Sequence, residues 1–284
     1  MHRRRTALAL VVVAAGLAAG GGAQAATGRL AGGGAIRHTS FVPRDVGATT
    51  SSNWSGYAVA DAGGSSTPTA FSAVAGSWVQ PAATCTAGGA AWSAFWVGLG
   101  GYSETSRALE QTGTESDCSL GGAPSYSVWY ELLPAPPVTV KLRVRPGDRI
   151  AAAVAVSRKI VTIKIRNLTR HTAFGKRFRM SAPDRSSAEW IAEAPSTCGV
   201  GGCQTLPLAN FGTVAFDGAT AIGGGHHGTI ADPAWGATAV TLHGGGSSSV
   251  HGSLVGNSPP ADALPSTLAS DGTSFSVAWE LQQQ

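Results

Sequence analysis

Two short segments place polar side chains where a packed sheet would hold hydrocarbon: Ala108-Leu109-Glu110-Gln111-Thr112-Gly113 and Ala188-Glu189-Trp190-Ile191-Ala192-Glu193. An unpartnered buried polar group costs about 1 to 3 kcal/mol, so an amide and carboxylates in such places call for a purpose, and acid–base chemistry is one. In a strand, alternate residues share a face. Gln111 then lies with Leu109 and Gly113 while Glu110 points away, and Glu189 and Glu193 lie opposite Trp190. In Trp129-Tyr130-Glu131 the same rule puts Trp129 and Glu131 together. A carboxylate can take a proton from water and return it to a leaving group, while an amide can stabilise an oxyanion and orient the water. Glutamine does not titrate, so the pair works in acid, where a histidine base is protonated and idle.

Other chemistries lack their signatures. The chain has no Gly-x-Ser-x-Gly elbow, no His-Glu-x-x-His, no P-loop and no dinucleotide fingerprint. Asp271-Gly272-Thr273 reads as a surface turn. Of the seven histidines, His2 and His38 precede the main domain, and the adjacent His226 and His227 would point to opposite sides of a strand. Four cysteines in an exported chain imply two disulfides. Cys198 and Cys203 bracket Gly199-Val200-Gly201-Gly202 and close a tight loop, which leaves Cys85 with Cys118. Neither pair has zinc-ligand spacing, and no metal or cofactor is expected.

His2-Arg3-Arg4-Arg5, the apolar run Ala7 to Ala19 and the small-x-small motif Ala23-Gln24-Ala25 describe a signal peptide over residues 1–25. Export makes the protein secreted, with no membrane partner once the signal is removed. Residues 26–50 form either a linker-like leader or a short prosegment, too poor in apolar residues to fold alone. Residues 51–284 have the length of one all-β domain. The formal charge of +4 belongs to the signal and leader, and the domain itself is close to −1, which gives nucleic acid no support as a partner. Basic residues concentrate between Lys141 and Arg179. In Val140-Lys141-Leu142-Arg143-Val144-Arg145 and Ile163-Lys164-Ile165-Arg166 they alternate with aliphatics, as on two strands with a solvated outer face.

Short strands separated by Gly, Pro and Ser follow from Asn53 onward, without a convincing long amphipathic helix, which indicates an antiparallel sandwich or barrel. Strands are expected over 53–59, 70–79, 91–98, 108–112, 125–132, 139–145, 148–156, 160–167, 173–180, 188–192, 208–219, 238–242 and 274–280. The Gly, Ser and Pro content between Gly223 and Pro265 reads as long loops around one or two strands.

An ordered series of words spans most of this domain: Asn53-Trp54-Ser55-Gly56, Trp96-Val97-Gly98, Leu109-Glu110-Gln111-Thr112-Gly113, Trp129-Tyr130-Glu131, Gly147-Asp148, Ala188-Glu189-Trp190-Ile191-Ala192-Glu193 and Leu208-Ala209-Asn210-Phe211-Gly212. The series resembles the glutamic peptidases, or eqolisins, a family of secreted acid endopeptidases. That resemblance implies a concanavalin-like sandwich of two antiparallel sheets, with a catalytic Gln111 and Glu193 on the concave sheet. It implies that Trp54, Trp96, Glu115, Trp129 and Glu131 line or support the cleft, that the substrates are polypeptides, and that no cofactor is used. A monomer is expected. The Cys198–Cys203 loop, just past Glu193, is where an added clamp on the cleft is expected. One departure stands out: where family members often carry an acid after Trp-Val-Gly, this chain has Leu99-Gly100. The alternatives are a sandwich glycoside hydrolase using Glu131 and Glu193 and a lectin-like binding module with a Trp-lined groove.

Overall fold

The computed structural model describes residues 35–41, 49–63, 68–103, 105–199, 202–245 and 258–282. The signal-peptide reading lies outside these residues, as does most of the leader. The described elements are all strands. In chain order they are β1 (Ala35–Arg37), β2 (Thr50–Ser51), β3 (Trp54–Ala60), β4 (Phe71–Val79), β5 (Ala94–Leu99), β6 (Glu110–Cys118) and β7 (Pro124–Leu132). Next come β8 (Val138–Thr139), β9 (Arg149–Ser157), β10 (Ile160–Asn167), β11 (Thr172–Arg179), β12 (Ser187–Glu193) and β13 (Ser196–Gly199). The last are β14 (Gly202–Thr205), β15 (Thr213–Gly223), β16 (His226–Thr229), β17 (Gly236–Gly245), β18 (Ala261–Pro265) and β19 (Phe275–Leu281).

Two antiparallel sheets stack face to face. One runs β17-β3-β12-β5-β6-β7-β8 and carries the site; the other runs β11-β10-β9-β4-β15-β19-β18, and the long β17 passes from one to the other. Between them lies the main core, built from alternate residues of both inner faces, among them Trp78, Phe95, Val97, Val154, Ile163, Trp190 and Phe216. Trp190 anchors β12 by donating its indole N–H to Ala75 O across the sandwich at 2.8 Å. With Trp190 directed into the core, Glu189, Ile191 and Glu193 must face the other way. There a second apolar cluster of Trp54, Ala94, Trp96, Leu109, Trp129, Ile191 and Val240 floors the cleft.

The register sets the rows of that floor. Ile191, Trp96, Gly113 and Trp129 pair across β12, β5, β6 and β7. Gly113 fits between two tryptophans because a Cβ there would stand 2.2 Å from Phe95 O and 2.6 Å from Trp96 Cβ. The rows on either side hold Glu189, Gly98, Gln111 and Glu131, and Glu193, Ala94, Glu115 and Ser127. Five carboxyl or amide groups are thereby drawn from the three strands β6, β7 and β12 onto one face.

Two strand expectations are corrected. Residues 140–145 bury Val140, Leu142 and Val144 and expose the basic residues between them, yet beyond Thr139 they join no ladder. This stretch crosses from one sheet to the other, with Val140 N bonded to Val128 O and Leu142 N turned back onto Val140 O. It is tied down by Asp148, whose Oδ2 accepts from Arg145 N, Asn167 Nδ2 and Arg170 Nε. Likewise 208–212 is a buried connection holding isolated bridges, and the strand starts only at Thr213. On β10, Ile163 and Ile165 are buried while Lys164 and Arg166 face solvent, as the alternation requires.

Candidate active site

The cleft face contains a segment of the chain's own leader. β1 pairs with β13, which pairs with β14, in a small three-stranded sheet beside the sandwich. The Cys198–Cys203 disulfide staples the β13–β14 hairpin, so the expected clamp is a support for the leader strand. From there residues 38–41 run across the cleft, and successive peptide groups are taken up by cleft side chains. His38 N donates to Glu131 Oε2 at 3.1 Å, and His38 O accepts from Gln111 Nε2 at 3.0 Å. Thr39 N donates to Glu193 Oε1 at 3.0 Å, and Thr39 O accepts from Trp54 Nε1 at 3.0 Å. Ser40 O accepts from Asn53 Nδ2 at 3.0 Å, and Phe41 N donates to Gly101 O at 3.0 Å. The Phe41 ring rests against Trp54 and Tyr102.

A single peptide unit, His38–Thr39, therefore has its carbonyl oxygen on Gln111 and its N–H on Glu193. Gln111 Nε2 also reaches Glu131 Oε2 at 3.3 Å, which fixes the amide so that its nitrogen points at the bound carbonyl. Gln111 Oε1, fully buried, has no hydrogen-bond partner among the described residues. Glu193 Oε2 accepts from Trp96 Nε1 at 2.8 Å. The His38 imidazole stacks on Trp129 with ring centroids 3.5 Å apart and planes 6° from parallel. Its Nε2 lies 3.2 Å from Glu115 Oε1 and its Nδ1 lies 3.4 Å from Glu193 Oε2. Ser127 Oγ donates to the other Glu115 oxygen.

Burial dominates the electrostatics. It raises the Glu193 carboxyl above the usual Glu range, although contacts with His38, Trp96 and Thr39 partly offset it. Burial, with the neighbouring Glu193 charge, pushes Glu131 up to about 8, so Glu131 is neutral in acid and its repulsion of Glu193 is absent there. Glu115 is drawn below its ordinary value despite burial, because the His38 contact and the Ser127 hydroxyl favour its anion. Burial alone would lower His38; Glu115 and Glu193 outweigh it and push the imidazole up to about 10. Glu189, buried in the Gln111 row, is raised well above a normal carboxyl by burial.

Of the cleft residues expected from the sequence, Gln111, Glu193, Trp54, Glu115, Trp129 and Glu131 touch the leader segment, and Trp96 stands behind Glu193 and Trp54. The two disulfides join the expected cysteines. Sequence reasoning missed His38, Thr39 and Asn53 Nδ2 as parts of the site. Asn53 opens a motif already singled out, but the grip on His38 and Thr39 is mostly through backbone groups, which leave no mark in a sequence. Beside Leu99-Gly100, where the family acid is absent, Asp184 lies against Gly100 and accepts from Gly101 N at 3.3 Å and from Ser106 Oγ. Among the described residues no group of His, Cys, Asp or Glu could hold a metal ion.

The model of the Peptidase A4 family matches residues 52–258. The chain belongs to that family. It is a glutamic endopeptidase, which sets aside the glycoside hydrolase and lectin readings. Among solved structures, scytalido-glutamic peptidase with a transition state analog inhibitor is similar, with a TM-score of 0.60 and 24% identity over 80% of this chain and 98% of that one. SCP-B, a member of the Eqolisin family solved with the tripeptide Ala-Ile-His, gives a TM-score of 0.57 and 22% identity over the same shares. Aspergilloglutamic peptidase from Aspergillus niger gives 0.50 and 25%, over 66% of this chain and 99% of that one. These likenesses establish the sandwich fold of this Peptidase A4 member. None of the curated proteins compared by sequence matches it.

Proposed function

We propose that this chain is a secreted acid endopeptidase in which Glu193 and Gln111 hydrolyse the peptide bond, and that residues 35–41 belong to a prosegment lying in the cleft. The observation that carries this reading is the His38–Thr39 peptide unit, held with its carbonyl oxygen on Gln111 Nε2 and its nitrogen on Glu193 Oε1. Both members of the dyad thus stand within hydrogen-bond distance of one peptide unit. Ionised Glu193 removes a proton from water as the water oxygen bonds to the carbonyl carbon, and the charge that develops on the carbonyl oxygen is met by the Gln111 amide N–H. The unpartnered Gln111 Oε1 is the acceptor that orients the water. Glu193 then gives its proton to the departing nitrogen as the C–N bond breaks, which regenerates the carboxylate. Neutral Glu131 keeps the Gln111 amide turned toward the substrate.

The same contacts restrain the uncut protein. Glu193 Oε1 is engaged by Thr39 N, Oε2 by Trp96 and the His38 imidazole, and the Gln111 donor by His38 O. Between the two leader readings, this favours the prosegment. Secretion is supported by the N-terminal signal pattern and by the two disulfides.

The reading is tested by digesting a denatured protein across a pH series, with inhibitors of serine, metallo- and pepsin-like peptidases present. Cleavage in acid that resists all three supports it. Activity that peaks at neutral pH or above, or that a chelator removes, refutes it.

A further inference from the structure

The side chain that precedes the bound peptide carbonyl enters a pocket whose chemistry is specific. The pocket has a flat indole wall, Trp129, and a carboxylate end, Glu115 Oε1, at 3.2 Å from the ring nitrogen that fills it. His38 is wholly buried there. Glu115 is itself built in: it lies in the same row as Glu193, and its second oxygen is held by Ser127 Oγ. Any planar side chain would stack on the indole, but only one with a polar N–H at its tip can meet the carboxylate. A lysine would reach the charge without the stack, and an aliphatic chain would leave the carboxylate buried against hydrocarbon, which is costly.

We propose that Trp129 and Glu115 form the subsite for the residue on the amino side of the cleaved bond, and that Glu115 makes the enzyme select histidine there over apolar side chains. This rests on the Gln111 and Glu193 reading, because that reading identifies the cleaved bond. The leader carries the preferred residue, His38, at that position, which makes His38–Thr39 both its anchor in the cleft and the bond most open to cleavage when it is released.

The test is an internal competition in the acid-treated full chain between peptides that differ only in the residue before the bond: His, Phe or Leu. Competing peptides sample the same active molecules, so the ratio of kcat/KM values is independent of how many clefts the leader still fills. The expected His-to-Phe ratio at pH 5 is roughly 10-fold to 100-fold, the size of a hydrogen bond to a charged group. In Glu115→Gln that ratio falls to near unity while the Phe-to-Leu ratio, which reads stacking on Trp129, is unchanged. A His-to-Phe ratio near unity in the parent enzyme, or one that Glu115→Gln leaves intact, overturns the subsite. Loss of both ratios together in Glu115→Gln also overturns it, since it reports a collapsed pocket. If the subsite ratios behave as stated but Glu193→Gln stays active, the failure belongs to the dyad reading and not to the subsite.

Discussion

Glu110→Gln should make the protein more resistant to unfolding, and only above acid pH. Glu110 is completely buried on the core side of β6, where its Oε1 accepts from Asp184 N at 3.2 Å. Burial, and then the charge of Asp184, push its carboxyl up to about 8 from an ordinary value of 4.5. A carboxyl raised in the folded state keeps its proton while the unfolded chain releases it. Its contribution to stability is therefore whole below about pH 4.5 and is lost as pH rises toward 8. At about 1.4 kcal/mol per pH unit, the loss over that window is roughly 5 kcal/mol. Glutamine keeps the acceptor for Asp184 N and cannot ionise, so the variant should match the parent near pH 4 and gain progressively toward pH 8. For a domain of this size the gain is on the order of 10 °C in Tm. Thermal or urea unfolding at pH 4, 6 and 8 checks it. A difference of equal size at all three pH values, or a parent that grows more stable between pH 4.5 and 8, would refute the reasoning. Glu131, Glu189, Glu193 and Asp117 are also raised chiefly by burial, and each adds to the same slope. The near-neutral charge of the domain suggests indifference to pH, but these interior carboxyls suit it to acid.

Glu131→Gln keeps the acceptor for Gln111 Nε2 and removes a group that is already neutral in acid, so the acid limb of the pH–rate profile should persist; a displaced acid limb would show that Glu131 is the titrating base. Cys198→Ser with Cys203→Ser should loosen β1 on its hairpin, so that the uncut chain shows more activity and faster proteolysis near residues 35–41 with little change in the urea midpoint. A stability loss of about 2 to 4 kcal/mol, typical of a structural disulfide, would instead make that bridge part of the sandwich's own framework. Gly113→Val meets Phe95 O and Trp96 Cβ at impossible distances and should cost more than about 4 kcal/mol; a soluble variant with parental circular dichroism and Tm would contradict the row register.

The parts of this molecule that were legible in its sequence are those where a side chain's face decides its fate. Trp190 must enter the core, so Glu189 and Glu193 must leave it, and the same logic places Gln111 opposite Glu110. Alternation reports burial, however, and not pairing. Residues 140–145 alternate faithfully while crossing between sheets without a ladder. β13 and β14 read as a disulfide-closed loop because Ser, Thr, Gly and Cys carry no strand pattern; their pairing comes from the hairpin and from β1. The leader was least legible, since its hold on the cleft is a run of backbone hydrogen bonds. His38 had no visible partner until folding brought Trp129, Glu115 and Glu193 around it from three strands.

The central claim is that Glu193 and Gln111 carry out the hydrolysis, and the most direct measurement is kcat/KM for Glu193→Gln and Gln111→Ala against the parent. It should be taken across pH 3 to 7, with folding verified by circular dichroism and by an unfolding midpoint. The account predicts losses of ~10²-fold or more for each at every pH, since one removes the base and the other the oxyanion donor. A folded Glu193→Gln protein that keeps most of the parental rate would contradict it.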